Sequence, residues 1–82
     1  MKRVSIKLES DQYFDQTWKL YEYSFPEFMR RPKLDQLSIM QNPLYFCDVL
    51  LEENEFVGFI FWWDFENFRY VEYFAIGSDQ RN

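Results

Sequence analysis

The stretch Tyr70–Ile76, YVEYFAI, holds one acid, Glu72, among aromatic and aliphatic residues. A carboxylate in such surroundings is a candidate proton acceptor, because burial disfavours the charged form of an acid and strengthens its hold on a proton. The competing expectation is structural: Glu72 faces solvent or pairs with Arg69 or Arg3. The chain has no His and a single Cys, Cys47, which excludes a His-activated nucleophile, an intrachain disulfide and a cysteine or histidine metal cluster. Cys47 reads as a small buried hydrophobe. Tyr21, Phe25, Trp63 and Tyr70, with Tyr23, Phe61, Trp62 and Phe65, suit either the lining of a ligand groove or the faces of a sheet. Asp64 and Glu66 suit a cationic ligand or a solvated turn, and Arg30 and Arg31 suit a phosphate or plain surface.

Composition limits the partners. The net charge of -5 opposes non-specific binding to nucleic-acid phosphates or anionic lipid. Ten Phe, six Tyr and three Trp in 82 residues, against two Gly and three Pro, describe a folded chain with an aromatic core. At this length the chain is one small domain that buries only about 60% of the surface its unfolded form exposes. The longest apolar run, FVGFIFWW, is too short to cross a bilayer as a helix. The start, MKRVSIKLES, alternates apolar and polar residues and does not read as a signal peptide, so the expected compartment is a reducing cytoplasm.

The elements that must position these residues follow from periodicity. Val4, Ile6 and Leu8 alternate with Ser5 and Lys7, which predicts a strand over residues 3–8. Ser10 or Asp11 can cap a helix over 11–24 whose apolar positions are Phe14, Trp18, Tyr21 and Phe25, and Pro26 ends it. A weaker helix over 33–41 has Pro32 at its start and Leu34, Leu37 and Met40 on one face. After Pro43 the period changes to two, predicting strands over 44–53, 56–65 and 69–76, the first pair joined by a tight turn at Asn54. The fold class is α+β, in the order β-α-α-β-β-β, with an antiparallel meander and two helices packed on the sheet. With both helices amino-terminal to the meander, one sheet face lacks a cover.

That order, with FPEFMRRP and FVGFIFWWDFENFRYVEYFAI, resembles the amino-terminal half of the GNAT superfamily of N-acetyltransferases. YVEYFAI is similar to the strand that binds acetyl-CoA, and SDQRN to the start of the family's pyrophosphate loop, with Arg81 in the first motif position. The sequence given stops before the loop's two glycines. The resemblance implies transfer of an acetyl group from acetyl-CoA to a primary amine, small-molecule or peptide, with no metal, no nucleic acid and no membrane. It implies Glu72 as the catalytic proton acceptor, and Phe74, Ala75 and Ile76, through their main chain, with Arg81, as contacts of acetyl-CoA. Tyr21, Phe25, Trp63 and Tyr70 are the implied contacts of the acceptor. Tyr73 stands where one branch of the family often has His, and Met29 where it often has an acid, so the acceptor stays open. Residues 1–82 are expected to be a single, partial domain, inactive alone and either self-associating or completed by a carboxy-terminal half. The alternative is a non-catalytic acidic α+β module that binds a partner or itself.

Overall fold

Four antiparallel strands lie side by side in chain order in the computed structural model, which describes residues 1–77. They are β1 (Lys2–Ile6), β2 (Tyr45–Glu52), β3 (Glu55–Asp64) and β4 (Arg69–Ile76). Two helices, α1 (Phe14–Ser24) and α2 (Lys33–Ile39), precede the meander β2-β3-β4, so the α+β class and the order of elements are those predicted. A short 3-10 turn at Glu27–Met29 separates the helices, where the sequence offered only a weak helical pattern.

Two local departures have plain causes. The start of α1 is not capped by Ser10 or Asp11; the residue before it is Tyr13, in a left-handed conformation with φ of 75°. Asp11 instead accepts hydrogen bonds from the main-chain N–H groups of Lys7 and Leu8, at 2.7 and 2.9 Å, and so turns the chain out of β1. That turn ends β1 at Ile6 and leaves Leu8 exposed. Of the face predicted for α2, Met40, just past its end, is buried and Leu37 is packed against the core, while Leu34 is exposed at the first turn and Gln36 is the buried position within the helix.

The β2–β3 turn uses Glu53 and Asn54, both at positive φ (52° and 67°), as a two-residue hairpin loop of the right-handed sheet twist demands. Register then follows: Tyr45 pairs with Trp63, Cys47 with Phe61 and Val49 with Phe59. These residues share the helix-facing side, where Ile6, Phe14, Trp18, Tyr21, Met40, Tyr45, Val49, Phe59 and Phe61 form the core. Each fully buried aromatic there contributes roughly 1.5–3 kcal/mol from the apolar surface it removes from water. The other side of the sheet carries Phe46 stacked on Trp62 at 4.8 Å. Asp48, also there, is buried by the side chains it holds: Ser5, the Trp62 indole N–H and Arg3. No described element covers this side, and Val71 and Phe74 are each more than half exposed.

Candidate active site

β4 pairs with β3 along its length, yet it does not run in plain alternation. Phe61 is opposite Tyr73 and Trp62 is opposite Val71, which leaves Glu72 as an extra residue with no partner across the ladder. Such a bulge re-aims side chains. Here it sends both Glu72 and Tyr73 to the helix-facing side: Glu72 reaches Tyr45, and Tyr73 packs edge-on against Tyr21 at 4.8 Å.

Glu72 meets Arg31, which the loop before α2 brings over the sheet. The contact is a two-pronged ion pair, Nη1 to Oε1 at 2.9 Å and Nη2 to Oε2 at 2.6 Å. Side-chain exposures of 19% for Arg31 and 17% for Glu72 put the pair at the edge of the interior, not in open water. The Tyr45 hydroxyl donates to Glu72 Oε1 at 3.1 Å and accepts from the Gln36 amide, also at 3.1 Å. The Gln36 carbonyl oxygen in turn accepts from Arg31 at 2.8 Å. Arg31 is anchored through its main chain as well, its N–H donating to the Tyr21 hydroxyl at 2.6 Å. Burial works against the charge of Arg31, but the hydrogen bonds and charge of Glu72 outweigh it and raise the guanidinium's pKa. Burial also raises the Tyr45 and Tyr21 hydroxyls, so both remain protonated.

The expected partners of Glu72, Arg69 and Arg3, are elsewhere: Arg69 pairs with Asp64 at 3.4 Å and Arg3 with Asp48 at 3.0 Å. Tyr45 and Gln36 are the residues that sequence reading missed, and Arg31, read as a phosphate contact or plain surface, is instead the partner of Glu72. The burial of Gln36 did leave a trace, since it sits four positions before Met40 and so shares its helix face.

Of the implied acceptor contacts, Tyr21 is fully buried beneath the Arg31 loop and belongs to the core. Phe25 is partly buried against Tyr73 at 5.0 Å. Trp63 is directly across from Tyr70 and packs on Tyr45 at 4.9 Å and on Phe65 at 5.4 Å, forming with the half-exposed Tyr70 an aromatic shelf beside Glu72. Tyr73 and Met29, the two positions that depart from the family pattern, touch each other: the Tyr73 hydroxyl donates to the Met29 carbonyl at 2.6 Å.

The main chain of β4 sorts the implied acetyl-CoA contacts. Gly77 N–H bonds to Val57 C=O, and in an antiparallel ladder every second residue then turns its polar groups to the neighbour. Ala75 is one of these, paired with Phe59 in β3, so its main chain is taken. Phe74 and Ile76 direct theirs to the far edge of β4, where no described strand pairs with them. Arg81 lies outside the described residues. Cys47 is buried and its thiol pKa is pushed up by that burial, so it is no nucleophile. Among the described residues no cluster of metal-ligating side chains occurs, and no helix is long and apolar enough to cross a membrane.

No protein-family model matches the chain, and no curated protein matches it. A solved structure does: a Bacteroides thetaiotaomicron protein assigned to the acetyltransferases of the GNAT family, with a TM-score of 0.91 and 25% sequence identity. The match covers 100% of this chain and 47% of that protein, so the chain spans about half the length of the structure it matches. The two helices and four-stranded antiparallel sheet are the arrangement of the amino-terminal half of the GNAT fold.

Proposed function

We propose, from the fold shared with a GNAT-family protein, that residues 1–82 are part of a single domain of an acetyl-CoA-dependent N-acetyltransferase acting in the cytoplasm on a primary amine. The observation that carries the reading is the coincidence, on one strand, of the free main-chain edge at Phe74 and Ile76 with the bulge that delivers Glu72. An extended pantetheine arm fits such an edge as an added strand would, exchanging hydrogen bonds with outward N–H and C=O groups. The same N–H groups suit a thioester carbonyl, on whose oxygen negative charge develops as the acceptor attacks.

In this reading the acceptor nitrogen forms a bond to the acetyl carbon, the carbon–sulfur bond breaks, and coenzyme A leaves as the thiol or thiolate. An alkyl ammonium must first lose a proton, and Glu72 is the group positioned to accept it, directly or through a water. For that, one oxygen of Glu72 exchanges its bond from Arg31 for one from the acceptor, while the Tyr45 hydroxyl keeps the carboxylate in place.

The test is acetyl-CoA binding by calorimetry and coenzyme A release with a panel of primary amines, using the full-length protein. Binding, amine-dependent release, and lower turnover with a flattened rise with pH in Glu72→Gln are the expected results. Failure to bind acetyl-CoA or to acetylate any amine rejects the transferase.

A further inference from the structure

The Arg31–Glu72 pair sets a condition on any ligand that enters between them. Each group is the other's counter-charge, and both are about four-fifths withdrawn from water. A ligand carrying only an ammonium takes Glu72 but leaves the guanidinium with only the neutral oxygens of Gln36 and Tyr45, and a ligand carrying only a carboxylate takes Arg31 but leaves Glu72 with only the Tyr45 hydroxyl. Leaving one charge of a withdrawn pair alone is strongly unfavourable, whereas replacing both contacts at once is not. A molecule with both charges on neighbouring atoms satisfies each half, its carboxylate on the planar Arg31 fork and its ammonium on Glu72.

We propose that this site selects a zwitterionic acceptor with an apolar body, an α-amino acid in which the free amine and the carboxylate are held by Glu72 and Arg31. The inference rests on the transferase reading for the fate of the amine. Arg31 is tethered at its main chain by Tyr21, so its side chain can swing while the loop stays put, and a cleft of about 350 Å³ that it lines with Trp18, Glu22, Glu27, Arg30, Pro32 and Lys33, though not with Glu72, gives the guanidinium room to move. On the sheet side, Tyr45 leads directly from Glu72 to the Trp63–Tyr70 shelf, an apolar surface for the body of the molecule.

Phenylalanine, phenethylamine and hydrocinnamate share a phenylethyl body and differ in which charged groups they carry. Calorimetry on the full-length protein with coenzyme A in place of acetyl-CoA, so that no transfer occurs, should show phenylalanine binding roughly tenfold or more tightly than either singly charged analogue. Arg31→Gln should erase its advantage over phenethylamine, Glu72→Gln its advantage over hydrocinnamate, and Arg31→Lys should keep part of it. If Arg31→Gln does not fold, the three-ligand comparison on the unaltered protein decides alone. Equal affinity for phenylalanine and phenethylamine, or no binding of any of the three, overturns the proposal. Coenzyme A release keeps the two readings apart: acetylation of simple amines with no advantage for the zwitterion rejects the selection but not the transferase. Zwitterion-selective binding without release supports the selection and rejects the transferase.

Discussion

Arg31 and Glu72, 41 positions apart in the chain, face each other in two parallel hydrogen bonds of 2.9 and 2.6 Å. The pair ties the loop before α2 to the bulge of β4, so one contact fixes both the candidate proton acceptor and the loop above it.

That tie should be visible in stability. Arg31→Gln and Glu72→Gln should each cost about 1–3 kcal/mol, because each leaves a partly withdrawn charge without its partner. The double variant should cost less than the sum of the two, by roughly 0.5 kcal/mol or more. Urea unfolding of all four proteins completes the cycle, and strict additivity would show that the pair contributes nothing as a pair.

Gly58 in β3 faces the main chain of β4 with no room for a side chain. A Cβ at that position would stand 2.4 Å from the Ala75 carbonyl oxygen and 3.1 Å from the Ile76 Cα, both main-chain atoms that cannot swing aside. Gly58→Ala should therefore destabilise the chain by about 1–3 kcal/mol. It should also weaken acetyl-CoA binding, since the strand it displaces presents Phe74 and Ile76. A melting temperature unchanged from the unaltered protein would contradict this.

Thr17 is buried in α1 with a hydroxyl that finds no hydrogen-bond partner among the described residues. Valine has nearly the same shape without the polar atom. Thr17→Val should raise stability by about 1 kcal/mol, seen as a higher midpoint in denaturant. A lower midpoint would mean that the hydroxyl is satisfied in solution.

Asp11 holds its carboxylate charge through the Lys7 and Leu8 N–H groups, which lower its pKa from the ordinary 3.8. A depressed folded-state value makes the contribution to stability complete above 3.8 and lost as pH falls through the folded value. Asp11→Asn should therefore be less stable than the unaltered protein near neutral pH, with the gap closing on acidification below 3.8. Thermal melts across that range check the sign; a gap that widens in acid would be the wrong one.

The sequence disclosed the strands and helices because their apolar periods are regular, and the change of period after Pro43 marks the start of the meander within two residues. It set Glu72 apart as the one acid among the apolar residues of its strand, and the family resemblance supplied the role. Its surroundings were not legible, because plain alternation along β4 puts Glu72 with Phe74 and Ile76 on the uncovered side, away from the helices. No glycine or proline marks the bulge that reverses this. Arg31 was hidden for a related reason: a basic pair beside a proline has the look of surface, and only the long-range fold brings it over β4. Likewise Tyr21 has the pattern of either a groove or a core residue, and packing against Phe59, Phe61 and Tyr73 decides for the core.

The unpaired position in β4 has a bearing on how such a protein can change over evolutionary time. Removing one residue between Val71 and Tyr73 would restore a regular ladder and cost little as sheet, yet it would strip the carboxylate from the tyrosine and arginine that hold it. Inserting one would invert the facing of everything on one side of it, turning either Tyr70 or both Tyr73 and Ala75 away from the helices. Single-residue gains and losses, tolerated in most surface segments, are therefore closed to this strand.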